Sequence, residues 1–367
     1  MLTRIGTVPR TRRYMLAGLA GGALGAPLPQ MLRLPRPIRL GLVGFEGHTG
    51  EVLDPLPRLP DVRLVCAASG DPEALRKFEQ GKRGAGVRLY SDYRRMMDAE
   101  RLDLVAVCNN NGERAAAILE AASRQLDIIA EKPLAIGRRD FERVQRAVSE
   151  NRVRLGMLLP MRFDPEYQAI KQVVESGEIG EVLQIASQKS YKLGDRPAWF
   201  RTRSTYGSTI LWIGIHMIDL MRWTSGREFV EAAGYQARLG FPEAGDMETV
   251  TASLFRLDNG GIAVLRMDYM RPQTAGSHGD DRLRLAGTKG VIEYMAATGV
   301  TVLSASGKPR ELHTLPPASS VFLDFLNAAY NGANPALPLA DIFRVNEITL
   351  AAHEAAELGR TVRIPAA

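Results

Sequence analysis

Lys132 combines a residue type and a position that suit proton transfer. It lies in the triplet Glu131-Lys132-Pro133, directly after the apolar run of residues 126–130. The run predicts a buried parallel strand, and Pro133 ends its pairing because proline has no amide proton to donate. Lys132 is therefore expected at the carboxyl end of a strand, where open α/β sheets bind their ligands. The simpler alternative is a surface lysine paired with Glu131.

His216 is the second candidate for proton transfer. Trp212, His216, Asp219 and Trp223 recur at a spacing that would place them on one side of a helix. An aspartate one turn after a histidine can fix the tautomer of the imidazole or raise its pKa, which would make His216 a general acid or base. The alternative is a structural histidine packed beneath the tryptophans.

A glycine-rich segment follows the first predicted strand. Gly44, Gly47 and Gly50 form the pattern G-x-x-G-x-x-G between that strand and a helix. Glycines allow a tight turn and a close approach to a pyrophosphate, whose charge the helix N-terminus favours. The pattern predicts a dinucleotide-binding turn. Its spacing differs from the usual G-x-G-x-x-G, and a plain strand-to-helix turn is the alternative.

The ends of predicted strands 2 and 4 bear on the choice of dinucleotide. NAD-binding folds commonly place a carboxylate at the end of strand 2 for the ribose 2′-hydroxyl, but here Ser69-Gly70 occupies that place. The missing carboxylate and the serine hydroxyl predict a mild preference for NADP over NAD, while Ser69 as a helix cap is the alternative. After strand 4, Asn109, Asn110 and Asn111 offer amides for a ribose or a nicotinamide.

The elements that must position these residues follow two different rhythms. Up to residue 160, apolar strand-like runs alternate with helical patterns, which predicts a doubly wound parallel sheet with crossover helices. Beyond it, alternating segments joined by turn signals predict a mostly antiparallel sheet, which two helices follow. We therefore expect an α/β chain with a leader at 1–30, a dinucleotide-binding domain at 37–160 and an α+β domain with a large open sheet at 161–367.

Positive charge is concentrated at the N-terminus. Arg4, Arg10, Arg12 and Arg13 lie in the first thirty residues, which contain no acid, and without them the formal charge falls from +6 to +2. The body is nearly neutral, so no nucleic-acid partner is expected. Arg12-Arg13 and the Gly/Ala-rich stretch that ends near Pro27 resemble a twin-arginine signal peptide. This implies the twin-arginine export machinery as a partner and a periplasmic location; a disordered basic tail is the alternative.

The two cysteines, Cys66 and Cys108, fall in predicted strands 2 and 4. In a doubly wound sheet these strands flank strand 1, which separates the thiols by ~10 Å, beyond the reach of a disulfide. We expect two buried free thiols and no metal site, because neither cysteine has a histidine or a second cysteine nearby. No segment is long and apolar enough to remain as a membrane span after processing of the leader.

Two motifs resemble the glucose-fructose oxidoreductase and inositol dehydrogenase family, often written Gfo/Idh/MocA. They are Glu131-Lys132-Pro133 and the segment from Gly214 to Asp219, and the likeness extends from Ile38 to Ile364. The resemblance implies a Rossmann domain that binds NAD(P), a C-terminal domain whose open sheet forms a homo-oligomer, and sugar or polyol substrates. It also implies dinucleotide contacts for Glu131 and Lys132.

The resemblance fails at three functional places, and one of them is the glycine loop from Gly44 to Gly50, whose glycine spacing is shifted. The family's loop after strand 4 usually reads Thr-Pro-Asn-x-x-His, and of it only Asn111 carries over cleanly. The family motif Asp-x-Gly-x-His has Trp212 in place of the aspartate, so the usual triad is reduced to Lys132 and His216. These departures affect the expected substrate and reaction type more than the expected binding of a dinucleotide.

The sequence as a whole predicts an exported NAD(P)-dependent oxidoreductase that acts on a carbohydrate-like alcohol or ketone. Lys132 would polarise the reacting oxygen and His216 would transfer its proton. The predicted substrate-binding residues are Arg162, Trp199, Trp212, His216 and Asp219. One alternative is an enzyme that retains its nicotinamide and uses transient oxidation for elimination, epimerisation or glycoside cleavage. The other is a catalytically silent dinucleotide-binding protein.

Overall fold

The first part of the chain forms a parallel sheet. A computed structural model describes residues 31–366, so the predicted twin-arginine leader lies outside the described residues. Within them, the strands of this sheet are β1 (Ile38–Val43), β2 (Val62–Ala68), β3 (Arg88–Tyr90), β4 (Leu104–Val107), β5 (Asp127–Ala130) and β6 (Leu155–Met157). They lie in the order β3-β2-β1-β4-β5-β6 and pair in parallel. Every residue of β4 and β5 is buried, as expected for central strands covered on both faces.

Helices occupy the crossovers between these strands. They are α1 (Thr49–Leu53), α2 (Pro72–Gln80), α3 (Tyr93–Ala99), α4 (Asn111–Ser123) and α5 (Arg138–Glu150). Asp71 and Asp92 cap α2 and α3, because each carboxylate accepts two backbone N–H groups of the first turn. Helix α1 is short and ends at Leu53, although Asp54, which precedes Pro55, still has helical backbone angles.

The second part of the chain forms a larger, mixed sheet. Its strands within the described residues are β7 (Val182–Tyr191), β8 (Phe229–Ala237), β9 (Val250–Leu257), β10 (Ile262–Asp268), β11 (Gly279–Gly287), β12 (Gly290–Met295), β13 (Gly299–Ser304), β14 (Arg310–Glu311) and β15 (Val362–Arg363). The order is β14-β13-β12-β11-β7-β10-β9-β8-β15, and every pairing is antiparallel except that of β7 with β10. The predicted fold class, a doubly wound parallel sheet followed by a mostly antiparallel open sheet, is confirmed.

The remaining α-helices follow β6 in the chain. They are α6 (Pro165–Glu175), α7 (Arg203–Tyr206), α8 (Ile215–Ser225), α9 (Val321–Asn331) and α10 (Leu339–Leu358). One of them, α10, packs against both β8 of this sheet and β6 of the first sheet. A π-helical turn, Ile210–Gly214, leads directly into α8. From α10, the buried Asn346 accepts the backbone N–H of Leu134 at 3.0 Å, which fixes the segment that follows β5.

Both cysteines are buried free thiols, as predicted. Cys66 lies in β2 and Cys108 follows β4 directly. Burial raises the pKa of Cys66 to about 12 and also raises that of Cys108, so neither thiol is activated. In the part of the chain that the structure describes, no helix has the length and apolar character needed to cross a membrane.

Candidate active site

The glycine loop passes close to the carboxyl ends of β4 and β5. Gly44 has a φ of +77°, and a Cβ atom there would lie 2.4 Å from the Cα of Asn109. Gly47 has a φ of +68°, and its Cβ would lie 2.1 Å from Oε1 of Glu131. Both positions therefore require glycine. Gly50 is less constrained, since the nearest atom to its Cβ position is a carboxylate oxygen of Asp54 at 3.2 Å.

Glu131 is a buried carboxylate that joins this loop to the end of β5. Its Oε1 accepts the backbone N–H of His48 at 2.7 Å and the imidazole Nδ1 of the same residue at 2.5 Å. Its Oε2 accepts the backbone N–H of Lys132 at 2.7 Å. Burial alone would raise the pKa of Glu131, but His48, Lys132 and Arg114 outweigh it and lower the value to about 2. Glu131 is therefore an anion at neutral pH.

Lys132 stands at the carboxyl end of β5, as predicted, but its ammonium group is covered. Its Nζ donates to the carbonyl oxygen of Trp212 at 2.8 Å and lies 3.1 Å from the centroid of the Trp212 ring. Burial lowers the pKa of Lys132 to about 7, an effect that Glu131 opposes and that Arg114 and Lys189 reinforce. A direct contact between Lys132 and a substrate oxygen stays a prediction, and it requires the Trp212 ring to move.

Arg114 is a buried residue of this site that the sequence patterns did not reveal. Its guanidinium is fully buried and donates to the carbonyl oxygens of Lys132 and Pro133, each at 2.9 Å. A further donor reaches the carbonyl of Asn109 at 2.5 Å. Arg114 thus holds the backbone that carries Lys132, although nothing in the local sequence distinguishes it from a solvated helix arginine.

Asn111 does not have the role that was predicted for it. Its Nδ2 donates to the carbonyl of Tyr206 at 2.7 Å, and its Oδ1 accepts from Arg114 at 2.8 Å. The amide is fully buried with both ends engaged, so the assignment of Asn111 to the dinucleotide is corrected. Its neighbour Asn109 is the better candidate, because its buried Oδ1 has no hydrogen-bond partner within residues 31–366.

His216 is brought to the same site from α8. Its ring centroid lies 5.3 Å from that of His48, in an edge-on arrangement. Its Nδ1 is buried without a partner in the described chain. Burial, together with Lys132 and His48, lowers the pKa of His216 well below its usual value, so the imidazole is neutral. The predicted pairing with Asp219, and the raised pKa expected from it, are therefore wrong.

Asp219 is instead bound to Arg162. The Nε of Arg162 donates to Oδ2 of Asp219 at 2.8 Å and its Nη2 donates to Oδ1 at 2.6 Å, while Nη1 reaches Asp341 at 2.8 Å. Both Arg162 and Asp219 are 1% exposed. Such a bidentate buried pair leaves neither residue free to contact a ligand, so their predicted roles in substrate binding are corrected to a structural one.

Trp199 and Trp212 belong to one aromatic cluster. Their rings meet edge to face with centroids 5.2 Å apart, and Phe200 and Tyr206 complete the cluster. The Trp212 ring is also 6.2 Å from the His48 ring, whereas the ring contacts of Trp199 within residues 31–366 are all with other members of the cluster. Trp212 therefore borders the site, and Trp199 supports it from behind.

A cavity of about 200 Å³ lies beside the two histidines. It is lined by His48, Pro160, Met161, Asp164, Tyr167, Lys189, Tyr191, His216, Asp281 and Tyr294. The Nζ of Lys189 donates to Asp281 at 2.9 Å and to the hydroxyl of Tyr191 at 2.7 Å. Burial alone would lower the pKa of Lys189, but Asp281 and Tyr191 raise it, so the ammonium stays charged.

The sequence analysis did not identify Lys189 and Asp281 as residues of the site, although the alternation of buried residues along their strands indicated that both side chains point inward. Lys189 is in phase with the buried Ile185 along β7, and Asp281 is in phase with the buried Leu283 along β11. Alternate residues of a strand face the same side of the sheet, so both charged side chains are expected to point into the protein. Strand pairing then places Asp281 directly opposite Lys189.

The edge of the first sheet fits a bound dinucleotide. Gly44, Gly47 and Ser69 all follow the carboxyl ends of strands, and the free Oδ1 of Asn109 offers an acceptor beside them. The hydroxyl of Ser69 accepts the backbone N–H of Asp71 at 3.1 Å, and Gly70 is exposed with open space around it. Among the described residues, no group of histidine, cysteine and acidic side chains could hold a metal ion.

Fold and site together define a class, the dinucleotide-dependent oxidoreductases that pair a Rossmann domain with an open-sheet domain. Residues 38–158 match the oxidoreductase family with an NAD-binding Rossmann fold, and residues 167–293 match the GFO/IDH/MocA C-terminal domain. The chain belongs to the Gfo/Idh/MocA family of oxidoreductases.

Three relatives illustrate the likeness. A Thermotoga maritima structure assigned to the oxidoreductases is 31% identical to this chain, with a TM-score of 0.84. The match covers 89% of this chain and 100% of that chain. The inositol 2-dehydrogenase of Rhizobium meliloti is 28% identical over 300 residues, which is 80% of this chain and 85% of that protein. Levoglucosan dehydrogenase in complex with NADH, 21% identical with a TM-score of 0.75, covers 90% of this chain and 100% of that chain and shares the fold.

Proposed function

We propose that this protein transfers hydride between a nicotinamide dinucleotide and a hydroxyl-bearing carbon of a sugar or polyol. The cavity beside His216 carries the proposal, because three of its lining residues each have a buried polar atom with no hydrogen-bond partner in residues 31–366. These atoms are Nδ1 of His216, the hydroxyl of Tyr167 and Oδ1 of Asp281. Buried polar groups are normally hydrogen-bonded, so a ligand with several hydroxyl groups fits this wall.

Each residue of the site would have a role that follows from its position. Gly44, Gly47 and Asn109 would hold the dinucleotide at the sheet edge, where the nicotinamide, when bound, accepts or supplies the hydride. His216 would form a hydrogen bond with the reacting hydroxyl. Lys132 would supply positive charge behind the Trp212 ring. Because its pKa is about 7, this charge changes with pH near neutrality.

For the cofactor, we propose dinucleotide binding with NADP mildly preferred. The support is the missing carboxylate at the end of β2, where Ser69 and Gly70 stand. Arg76 gives little further support, because its guanidinium is bound by Glu73 at 2.7 Å. Titration of the apoprotein with NAD and NADP by fluorescence decides the preference, and tighter binding of NAD refutes it.

The substrate class is tested by a matched pair of variants on β11. The protein is assayed with myo-inositol, glucose and other polyols in the presence of either dinucleotide. Asp281→Asn should raise KM for the best substrate by about tenfold or more, since it alters the cavity wall. Asp280→Asn is the control, because Asp280 is bound to Arg282 and to Gln188 rather than lining the cavity. Absence of turnover with every polyol and both dinucleotides would contradict the proposed function.

We propose that the protein is a homo-oligomer that associates through the outer face of the large sheet. Tyr235, Leu254 and Ile262 are 77%, 49% and 51% exposed on β8, β9 and β10. Apolar side chains on an open sheet face favour association with a second copy. Leu254→Glu should lower the mass measured by light scattering, whereas Leu358→Glu, at the exposed end of α10, should not. A monomeric wild-type protein would contradict this.

We also propose export to the periplasm through the twin-arginine machinery. The support is Arg12-Arg13 followed by the short apolar stretch. Replacement of both arginines by lysine should leave the full-length protein in the cytoplasm of a host with that machinery. Unchanged periplasmic delivery would exclude this route.

A further inference from the structure

We propose that His48, held by the buried carboxylate of Glu131, is the residue that exchanges the hydroxyl proton of the substrate. The inference rests on the proposed function, since it assigns a further catalytic residue to the same cavity. It also explains how a chain with Trp212 in place of an aspartate can retain a competent proton acceptor.

The geometry of His48 is that of a general base with an orienting partner. Its side chain lines the cavity together with His216. Its Nδ1 is 2.5 Å from Oε1 of Glu131, and Glu131 is 0% exposed. Because the ionised carboxylate only accepts, Nδ1 carries the proton and Nε2 has the free lone pair. Within residues 31–366, Nε2 has no hydrogen-bond partner of its own. A carboxylate that orients an imidazole in this way also stabilises the imidazolium that forms on proton transfer.

The other polar groups of the site are less suited to this role. Trp212 has no acid or base function, and it covers the ammonium of Lys132. Lys189 is held as a cation by Asp281 and Tyr191. Among residues 31–366, no carboxylate is bound to His216, and its neutral imidazole lies next to the positive charge of Lys132. Of the two imidazoles that face the cavity, only that of His48 is hydrogen-bonded to a buried carboxylate, which belongs to Glu131.

In the direction of alcohol oxidation, the O–H bond of the substrate breaks and its proton goes to Nε2 of His48, which becomes an imidazolium. The electron pair of that bond becomes the second bond of the new carbonyl group. The hydride leaves the same carbon with two electrons and reduces the oxidised nicotinamide. Release of the proton from His48 to water restores the neutral ring, and ketone reduction is the reverse.

His48 belongs to the glycine loop, so a role limited to dinucleotide contact must be separated from proton transfer. His48→Asn should lower kcat with the best polyol by about 10²–10⁴-fold, and added imidazole should restore part of it. The Kd of the dinucleotide should change by less than about tenfold. Glu131→Gln should lower kcat without rescue by imidazole, because Glu131 acts through His48. His313→Gln, which alters an exposed histidine beside Glu311, is the control.

A second measurement needs no substrate. In ¹⁵N-histidine spectra of the ligand-free protein, the His48 ring should carry its proton on Nδ1, and Glu131→Gln should change that signal. A proton on Nε2 in the wild type overturns the inference whether or not any polyol is turned over.

The kinetic outcomes separate the two proposals. An active wild type whose His48→Asn variant keeps its kcat within about tenfold overturns the role of His48 and leaves the oxidoreductase function intact. A loss of turnover that is fully explained by weaker dinucleotide binding also overturns it. An inactive wild type contradicts the proposed function instead, and the spectra then test only the Nδ1 tautomer that the role of His48 requires.

Discussion

The ring of Trp212 covers the ammonium group of Lys132, with 3.1 Å between Nζ and the ring centroid and a 2.8 Å hydrogen bond from Nζ to the Trp212 carbonyl. A cation over an aromatic face is stabilised, but it is also removed from water. The second effect dominates here, since burial lowers the pKa of Lys132 to about 7. The ring of Trp212 therefore contributes to the burial that lowers the pKa of Lys132.

The first prediction concerns this pair. Trp212→Asp should raise the pKa of Lys132 from about 7 towards its ordinary value of 10.5, because a nearby carboxylate favours the charged ammonium. Titration of labelled lysine side chains by NMR measures this. Trp212→Leu, which removes the ring without adding a charge, is the control and should raise the pKa less. Equal values in the two variants would show that solvent access, not charge, sets the pKa.

The second prediction is a pH dependence of stability. The folded protein holds Lys132 at a pKa of about 7 against 10.5 in the unfolded chain, so between these values the unfolded chain binds more protons and stability rises with pH. Lys132→Met removes this contribution. Its free energy of unfolding relative to the wild type should fall steadily from pH 7 to pH 10, as measured by urea denaturation. Parallel profiles for the two proteins would contradict the lowered pKa.

The third prediction tests the contact between the glycine loop and Glu131. Gly47→Ala places a Cβ 2.1 Å from Oε1 of Glu131 at a φ of +68°, so it should destabilise the fold by about 1–3 kcal/mol and weaken dinucleotide binding. Calorimetry and fluorescence titration measure the two effects. Gly276→Ala, with open space at its Cβ position, is the control. Wild-type affinity in Gly47→Ala would mean that the loop does not form the cofactor site.

The fourth prediction separates a structural role for Arg162 from a role in substrate binding. Arg162→Met leaves Asp219 as a buried charge without its bidentate partner, so the free energy of unfolding should fall by about 3–5 kcal/mol. The exposed pair of Arg143 and Asp140 gives the control, since Arg143→Met should cost less than about 1 kcal/mol. Any folded Arg162→Met protein should keep its KM, and a raised KM with unchanged stability would return Arg162 to the substrate site.

Sequence by itself determined the features that depend on local pattern. The apolar run before Lys132 specified a buried strand, because apolar side chains in a central parallel strand are covered on both faces. Gly44 and Gly47 were identified from the glycine pattern that follows the first strand, and their positive φ values in the structure explain why glycine is needed there. The two sheets followed from the change of periodicity near residue 160, and the free thiols followed from the strand order.

Tertiary structure decided which side chains meet. Helical spacing placed Asp219 beside His216, but the stronger bidentate partner was Arg162, 57 residues away in the chain. The pair of Lys189 and Asp281 is separated by 92 residues, and no local pattern relates the two. The contact of His48 with Glu131 spans 83 residues. Hydrogen bonds and ion pairs depend on distance in space and on burial. The partners of the charged side chains at this site are therefore determined only by the packing of the two sheets together.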